Sequence, residues 1–405
     1  MKKLSLLTVV LLCVGILVGC NNLEDTPITN PVESQPVETA ESGSSSENTE
    51  ESTKESVDES KEESTEESQE SIEDLIITER YEKDGKIQSY LTGEWKDIDV
   101  VNRRSMAVMV GNNSGLLPQY GISRASIIYE APVEGRISRL MLFIEDYDDL
   151  ERVGPVRSSR DYFVYEAMAY DAIYCNWGLA VPYVEDLLAS DRIDNISQAV
   201  AGIHNASSEA FDRVSRPGYA TEYTGYMFMN GYNKAVNRHG YETEYRDTFE
   251  QAFTFANDGH RAEYPDYEEA TMIYPGGSKS NKGGYGSHKP WFDYNEEDGL
   301  YYRYQFNEAQ IDEMNDEQIA VSNVIFKICH GEVRDNNDYL AFSVHGEGDA
   351  VIFTNGKVIK GTWERTSDTA ANMFYDENGN EIVLNQGKTW ICNIWKEYAD
   401  YAEWN

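Results

Sequence analysis

Arginines dominate the positive charge in the middle of this chain. Between Lys96 and Lys234 there is no lysine, yet there are eleven arginines. Five of them fall within one short segment, namely Arg136, Arg139, Arg152, Arg157 and Arg160. A planar guanidinium group binds carboxylates and phosphates through two parallel hydrogen bonds. This concentration therefore indicates either an anion-binding site or a set of structural ion pairs.

The position of Arg157 and Arg160 would suit an anion site at the start of a helix. Gly154-Pro155 predicts that a helix opens there, and two residues three positions apart share a helix face. A helix start also offers unpaired N–H groups and a partial positive charge.

The candidate anion site contains Arg157, Arg160 and Arg139, with Glu130 and Glu134 as orienting or acid–base groups. In the alternative interpretation the arginines pair with these two carboxylates and fasten the helix to a sheet, and no ligand is involved.

Sequence motifs of common enzyme classes are missing from residues 76–405. There is no His-Glu-x-x-His, no Cys-x-x-Cys, no Ser-x-x-Lys, no Gly-x-Ser-x-Gly and no phosphate-binding loop. We therefore predict no metal site and no cofactor, and we assign no catalytic residue. A carboxylate pair of the kind that glycosidases use cannot be recognised from sequence spacing, so that chemistry stays open.

The segments around the arginines alternate between strand and helix patterns. Short apolar runs predict buried strands, and amphipathic runs predict helices. The predicted strands are 106–110, 125–131, 137–144 and 172–177, and the predicted helices begin at Gly154 and Pro182. This alternation indicates an α/β domain over residues 76–255.

The C-terminal third shows strands and turns only. A Gly-rich connector over 256–290 carries an acid-free loop with Lys279, Lys282 and Lys289, which either meets an anionic polymer such as teichoic acid or is a solvated connector. Strands are predicted at 301–306, 322–329, 339–344, 350–354, 357–364 and 389–395. Asn355-Gly356 predicts a tight hairpin turn, since both residues tolerate positive φ. We expect a smaller antiparallel β-rich domain over 291–397.

The first 75 residues predict a lipid anchor and a tether. Lys2 and Lys3 precede an apolar stretch that is too short for a membrane span and ends in Leu17-Val-Gly-Cys20, the pattern of a lipoprotein signal peptide over 1–19. Cys20 would receive the lipid. Residues 20–75, rich in Ser and Glu, predict a disordered acidic tether. These features place the chain at the extracytoplasmic face of the bacterial cell membrane.

The net charge limits the classes of partner, and the cysteine content limits the possible disulfides. The formal net charge of -38 argues against nucleic acid. Cys175, Cys329 and Cys392 remain after the signal peptide and Cys20, which excludes a disulfide framework and leaves a Cys329–Cys392 bridge open.

Trp177, with Tyr174 and Tyr183, either forms a sugar-stacking surface or packs in the core.

A long series of motifs resembles the YerB-like lipoproteins. In the N-terminal part these are Ala107-Val-Met-Val110, Ile128-Tyr-Glu130, Val133-Glu-Gly135, Arg152-Val-Gly-Pro-Val-Arg-Ser158, Tyr170-Asp-Ala-Ile-Tyr174 and Trp177-Gly178. In the C-terminal part they are Ser322-Asn-Val-Ile325, Asn355-Gly-Lys-Val358, Gly361-Thr-Trp363, Phe374-Tyr-Asp376 and Gly387-Lys-Thr-Trp390. One departure is Thr221-Glu-Tyr-Thr224, where the family often has a His-Asn pair before Tyr-Thr. The resemblance implies an envelope lipoprotein with an α/β part and a β part, and it implies no reaction.

The sequence therefore leads to two main functional hypotheses. The first is a non-catalytic binder of a cell-wall component or of a wall-synthesis partner, attached to the membrane by its N-terminal lipid. The second is a glycan-directed hydrolase or lyase that uses a carboxylate pair. A solute-binding subunit of a transporter fits the lipid anchor but fits the β-rich C-terminal part poorly.

Overall fold

Strands and short helices alternate in the N-terminal part of the structure, a computed structural model that describes residues 75–198, 206–279 and 283–405. The strands are β1 (Lys86–Gln88), β2 (Trp95–Asp97), β3 (Met106–Gly111), β4 (Ile127–Val133), β5 (Ile137–Ile144), β6 (Arg152–Val153), β7 (Ile173–Trp177), β8 (Asn195–Gln198), β9 (Phe211–Arg213) and β10 (Gly225–Phe228). The helices are α1 (Ile98–Val101), α2 (Asp161–Ala169), α3 (Val181–Ala189) and α4 (Met229–His239). Short 3-10 helices span Ser114–Leu116, Ile122–Arg124, Glu134–Arg136, Ser208–Ala210 and Thr221–Tyr223.

The C-terminal part consists of strands, with one 3-10 helix, Lys396–Tyr401, among its described residues. Its strands are β11 (Thr254–Phe255), β12 (Met272–Tyr274), β13 (Trp291–Asn295), β14 (Leu300–Gln305), β15 (Glu308–Ala309), β16 (Ala320–Val321), β17 (Asn323–Cys329), β18 (Gly331–Val333), β19 (Leu340–Phe342), β20 (Gly346–Thr354), β21 (Lys357–Arg365), β22 (Met373–Asp376), β23 (Val383–Leu384), β24 (Thr389–Trp395) and β25 (Glu403–Trp404).

A ten-stranded sheet joins the two parts. Its strand order is β22-β21-β20-β17-β24-β4-β5-β3-β7-β8. The two parts meet where β24 lies beside β4, with Ile391 opposite Tyr129 and Cys392 opposite Glu130. A smaller sheet has the order β15-β14-β13-β12-β25, with β16 paired to β14. The remaining strands form short sheets of two or three strands.

Both faces of the large sheet are buried, which explains the apolar runs in its strands. Ala107 and Met109 of β3 belong to the core on the side of α2 and α3. Met106, Val108 and Val110 belong to a second core, shared with α4 and the smaller sheet. Because successive side chains of a strand point to opposite faces, an unbroken apolar run is what a sheet covered on both sides requires.

The predicted fold class, an α/β part followed by a β-rich part, is confirmed. Two strands of the C-terminal part differ from the antiparallel expectation, because β24 runs parallel to both of its neighbours, β17 and β4, and β23 runs parallel to β11. Among its described residues, the predicted connector over 256–290 contains one strand, β12. The predicted boundaries at 255 and 290 stay a prediction. The signal peptide, Cys20 and nearly all of the tether lie outside the described residues.

The predicted helix start at Gly154 is wrong. The helix begins at Asp161, and Arg160 is the residue before it. The preceding residues instead form strand-like bridges, Tyr120 with Gly154 and Val110 with Val156. Backbone pairing to β3 and its surroundings therefore overrides the local helix-start pattern, and Arg157 and Arg160 share no helix face.

The hairpin turn at Asn355-Gly356 is confirmed. It joins β20 to β21, with Thr354 opposite Lys357, and its two residues have φ of 50° and 71°. Cys175, Cys329 and Cys392 are free, buried thiols, so the Cys329–Cys392 bridge that the sequence left open is not formed. No helix in the described part of the chain is long and apolar enough to cross a membrane.

Candidate functional site

Glu130 lies in the middle of the molecule, on the face of β4 that meets the smaller sheet. Its side chain is fully buried. The carboxylate accepts five hydrogen bonds, from Asn112, Ser138 and His288 at one oxygen and from Arg303 and Trp390 at the other. The Arg303 Nη2 to Glu130 Oε2 distance is 2.7 Å. We call these six residues the Glu130 cluster.

The Glu130 cluster keeps its carboxylate ionised. Burial by itself would raise the pKa of Glu130, but the charge of Arg303 and the hydrogen bonds from His288 and Ser138 outweigh it and hold that pKa at about 2. Burial also lowers the pKa of His288, so this imidazole is neutral and donates through Nε2. The cluster therefore ties β4 and β24 to the smaller sheet, and a carboxylate so enclosed has no access to a polymeric ligand.

Glu134 lies just beyond the end of β4, with different partners. It forms an ion pair with Arg160, whose Nε is 3.1 Å from Glu134 Oε2. Arg139 Nη2 is 4.0 Å from the other carboxylate oxygen. Strand alternation places Arg139 on the α2 side of the sheet and Glu130 on the opposite side. The structure thus brings Glu134, Arg139 and Arg160 together and separates Glu130 from them.

Backbone carbonyls satisfy much of the remaining hydrogen bonding of these arginines. Arg139 donates to the Ser158 carbonyl, and Arg157 donates to the Glu222 carbonyl. Burial, and then the like charge of Arg157, lowers the pKa of Arg139 to about 10. These contacts form a network of ion pairs and hydrogen bonds with more positive than negative charge. The binding of an anion by these residues stays a prediction.

A groove of 510 Å³ opens beside Glu134. Its walls come from four places: the turn after β4, the β18–β19 hairpin, the segment around Gly283, and the end of β24 with the following 3-10 helix. The lining residues are Val133, Glu134, Gly135, Arg136, Gly283, Gly284, Val333, Asp338, Leu340, Trp395 and Tyr398. Because β4 and β24 are parallel neighbours, the groove lies at their carboxyl ends, the usual place for ligands in parallel sheets.

Arg136 occupies an unusual position at the edge of this groove. Its backbone has φ of 60°, directly after Gly135 with φ of 80°. A non-glycine residue rarely adopts this conformation, and such strain concentrates at ligand-binding positions. The exposed Arg136 side chain makes no hydrogen bond or ion pair within residues 75–198, 206–279 and 283–405. Among the described residues, the groove lining therefore offers one uncommitted positive charge.

Two half-buried aromatic rings, those of Trp395 and Tyr398, also line the groove. Trp395 donates its indole N–H to the Gly331 carbonyl at 3.0 Å, which fixes its orientation. Tyr398 meets Trp395 edge to face, with the ring centroids 5.1 Å apart. Gly283 lies directly against Tyr398, so that a Cβ there would come within 3.1 Å of it. The wall is rigid and aromatic.

The sequence left open whether Trp177, with Tyr174 and Tyr183, forms a sugar-stacking surface or packs in the core. Tyr174 is fully buried and bonds to Ser159, and Trp177 packs on Phe211. The signal that identifies Trp395 and Tyr398 is their spacing of three, continued by Tyr401. Of the predicted basic loop, Lys279 and Lys289 are exposed and Lys282 lies outside the described residues.

Metal-ligating groups are scattered in this fold. Within the described ranges, no three His, Cys, Asp or Glu side chains cluster so that they could hold a metal ion.

Comparisons with known proteins identify both parts of the chain. Residues 91–259 match the N-terminal domain, and residues 282–391 the C-terminal domain, of a protein of unknown function (DUF3048). The Bacillus subtilis (strain 168) protein named "Putative lipoprotein YerB" is 25% identical over 315 residues, which are 76% of this chain and 86% of that protein. The crystal structure of YerB from Bacillus subtilis matches with a TM-score of 0.63 at 23% identity, over 78% of this chain and 99% of that one.

Proposed function

Because the chain belongs to the YerB-like lipoprotein family, whose two domains have no assigned function, we propose that it is a non-catalytic binding protein of the cell envelope. Its ligand is a cell-wall component that the groove holds. In this proposal the lipid at Cys20 anchors the chain on the extracytoplasmic face of the membrane, and the acidic tether spans the distance to the wall.

The composition of the groove carries this proposal. The uncommitted guanidinium of Arg136 lines the groove together with the aromatic rings of Trp395 and Tyr398. Apolar Val133 and Leu340 line it as well. Wall components combine sugar rings, which pack their C–H faces on aromatic rings, with carboxylates, which bind arginine. A few convergent polar groups in an otherwise apolar cleft are typical of a ligand site.

The state of the nearby acids supports binding rather than turnover. A general acid must carry a proton near neutral pH. Glu130 has a pKa of about 2 and no access to the groove, and Glu134 is held in an ion pair with Arg160. Neither carboxylate is placed to donate a proton to a glycosidic oxygen.

A glycan-directed hydrolase or lyase is the second candidate function. One observation favours it, since the carboxylates of Glu134 and Asp338 line the same groove. In this case Asp338, which no cation neutralises within the described residues, would act with Glu134.

Calorimetric titration of the full-length protein in detergent with soluble peptidoglycan fragments tests the proposal. We expect saturable binding, no change in the fragments by mass spectrometry, and a loss of about tenfold in affinity for Arg136→Ala. Lys289→Ala, which removes an exposed charge outside the groove lining, is the matched control and should bind normally.

Three results would overturn the proposal. Cleaved fragments that disappear with Glu134→Gln would establish the hydrolase. Equal binding by Arg136→Ala and wild type would place the ligand elsewhere. Absence of binding to any wall fragment, with capture of a defined envelope protein that Arg136→Ala weakens, would make the groove a protein-docking site.

A further inference from the structure

Three aromatic residues follow one another at intervals of three at the end of β24. Trp395 precedes the 3-10 helix Lys396–Tyr401, and Tyr398 and Tyr401 lie within it. In a 3-10 helix, residues three apart lie directly above one another, at a rise of about 2 Å per residue. The three rings therefore form one row, which we call the aromatic stripe. Its ring centroids are 5.1 Å and 6.4 Å apart.

The neighbouring rings of the stripe are not stacked face to face on one another. Trp395 and Tyr398 meet at 90°, and Tyr398 and Tyr401 at 40°. An edge-to-face pair covers one face of one ring, whereas a stacked pair covers a face of each. Trp291 and Tyr304, at 4° and 4.9 Å, are a stacked pair elsewhere in this fold. Contacts within the stripe therefore cover less ring surface than a stacked pair does.

Exposure increases along the stripe from the groove outwards. Trp395 is held by Gly331 and by the edge contact with Phe342, whereas Tyr401 is 42% exposed. Val333, on the hairpin that lines the groove, is 52% exposed. Large exposed apolar side chains that continue a groove lined by the same residue types extend the binding surface beyond it. A ligand longer than the groove would follow the stripe to Tyr401.

From this arrangement, and on the basis of the proposed function, we propose that the ligand is a linear glycan chain. Successive sugar residues pack their apolar faces on Trp395, Tyr398 and Tyr401. Arg136, which also lines the groove, takes a carboxylate that a sugar carries, such as the lactyl carboxyl of N-acetylmuramic acid.

The charge of the protein favours a glycan chain over other polymers of the cell wall as the ligand. Among the described residues, the groove lining provides one uncommitted cation, Arg136, and the chain carries a formal net charge of -38. A polyphosphate such as teichoic acid would meet repulsion from the protein and a single compensating guanidinium. A glycan strand with one carboxylate per disaccharide presents far less charge and a regular apolar face.

Length-defined ligands test the inference on the full-length protein in detergent. Two series are titrated by calorimetry: N-acetylglucosamine oligomers of one to six residues, and peptide-free glycan strands of peptidoglycan of matched lengths. We expect affinity to rise at least about tenfold from one sugar to four and then to level off. In Tyr401→Ala, this gain in affinity for long oligomers should be lost, and the affinity for short oligomers should be unchanged. Arg136→Ala should weaken only the series that carries carboxylates.

Tyr81→Ala is the matched control, because Tyr81 is also an exposed tyrosine with one edge-to-face partner, Trp95. Its affinities should equal those of the wild type. Affinity that is independent of length, or unaffected by Tyr401→Ala, would overturn the linear-glycan inference while groove binding of a short fragment, weakened by Arg136→Ala, stands. Failure of every wall fragment to bind in the groove would instead overturn the proposed function itself.

Discussion

Glu130 and Glu134 are only four positions apart in the chain, yet their environments differ. Glu130 accepts five hydrogen bonds in a dry interior, and every oxygen lone pair it offers is used. Glu134 borders a groove that Arg136 also lines, and the exposed Arg136 side chain, in a strained backbone conformation, has no hydrogen bond or ion pair among the described residues. The Glu130 carboxylate is fully paired without a ligand, although the buried Nδ1 of His288 and Nε of Arg303 have no hydrogen-bond partner among the described residues. An exposed charge without a partner, rather than the presence of charged residues, marks the candidate site.

Removal of Arg303 should produce the largest effect on stability. Arg303→Ala leaves the Glu130 carboxylate buried without its countercharge, and we expect the free energy of unfolding to fall by about 3–5 kcal/mol. Denaturant unfolding of the full-length protein measures this. Arg192→Ala is the control, since its pair with Asp368 is largely exposed and should change stability by less than about 1 kcal/mol. Equal effects from the two variants would contradict the role of the Glu130 cluster.

Acid should destabilise the protein through the same cluster. Glu130 has a folded pKa of about 2, below its unfolded value, so its contribution is present above the unfolded pKa and is lost as the pH falls towards 2. At 1.36 kcal/mol per pKa unit this amounts to about 3 kcal/mol. The lowered pKa of His288 acts in the same direction, since the unfolded chain takes up the proton first.

Stability measured between pH 7 and pH 3 tests this prediction. The wild type should lose stability over the range, and Glu130→Gln should flatten the part below pH 5. An unchanged slope in Glu130→Gln would show that other carboxylates account for the acid sensitivity.

Arg160 and Arg157 should differ in their effect on stability. Arg160 is nearly buried and bonds to Glu134, so Arg160→Ala should cost about 2 kcal/mol. Arg157 pairs with Glu222, whose side chain is 60% exposed, and Arg157→Ala should cost less than about 1 kcal/mol. Thermal or denaturant unfolding of the two variants compares them directly. A larger loss of stability for Arg157→Ala than for Arg160→Ala would show that Arg157, and not Arg160, makes the more important structural contact.

Glycine at position 136 should stabilise the fold by a small amount. Arg136→Gly relieves the cost of a positive φ at a residue with a side chain, and we expect a gain of about 1 kcal/mol together with weaker ligand binding. Arg136→Ala, which keeps the strain and removes the charge, should weaken binding without the gain. A loss of stability in Arg136→Gly would mean that the guanidinium has a structural partner.

Local patterns predicted much of the fold. The uninterrupted apolar run of β3 indicated a sheet buried on both faces, and Asn355-Gly356 indicated its turn, because each depends on neighbours in sequence. The prediction that a helix begins at Gly154 was wrong, since the backbone groups of Gly154 and Val156 pair with distant residues. The parallel pairing of β24 with β4 joins residues more than 250 positions apart, which no local pattern encodes.

The candidate site was predicted only in part. Glu134, Arg139 and Arg160 were expected to meet, and they do, whereas the pairing of Glu130 with Arg303 depends on a separation of 173 positions. Arg136 was noted as one of five clustered arginines, but its backbone strain and lack of a partner are properties of the folded state. The spacing of Trp395, Tyr398 and Tyr401 was visible in the sequence, and the 3-10 helix that aligns these rings was not.

Photo-crosslinking in intact cell envelopes tests most directly whether the groove holds a wall component. A photoreactive phenylalanine analogue replaces Val333, which lines the groove, and a control variant carries it at Val181, which is comparably exposed on α3. We expect a crosslinked product at position 333 that muramidase digestion shortens and that is missing at position 181. A product at position 333 that contains only protein, or equal glycan capture at both positions, would contradict it.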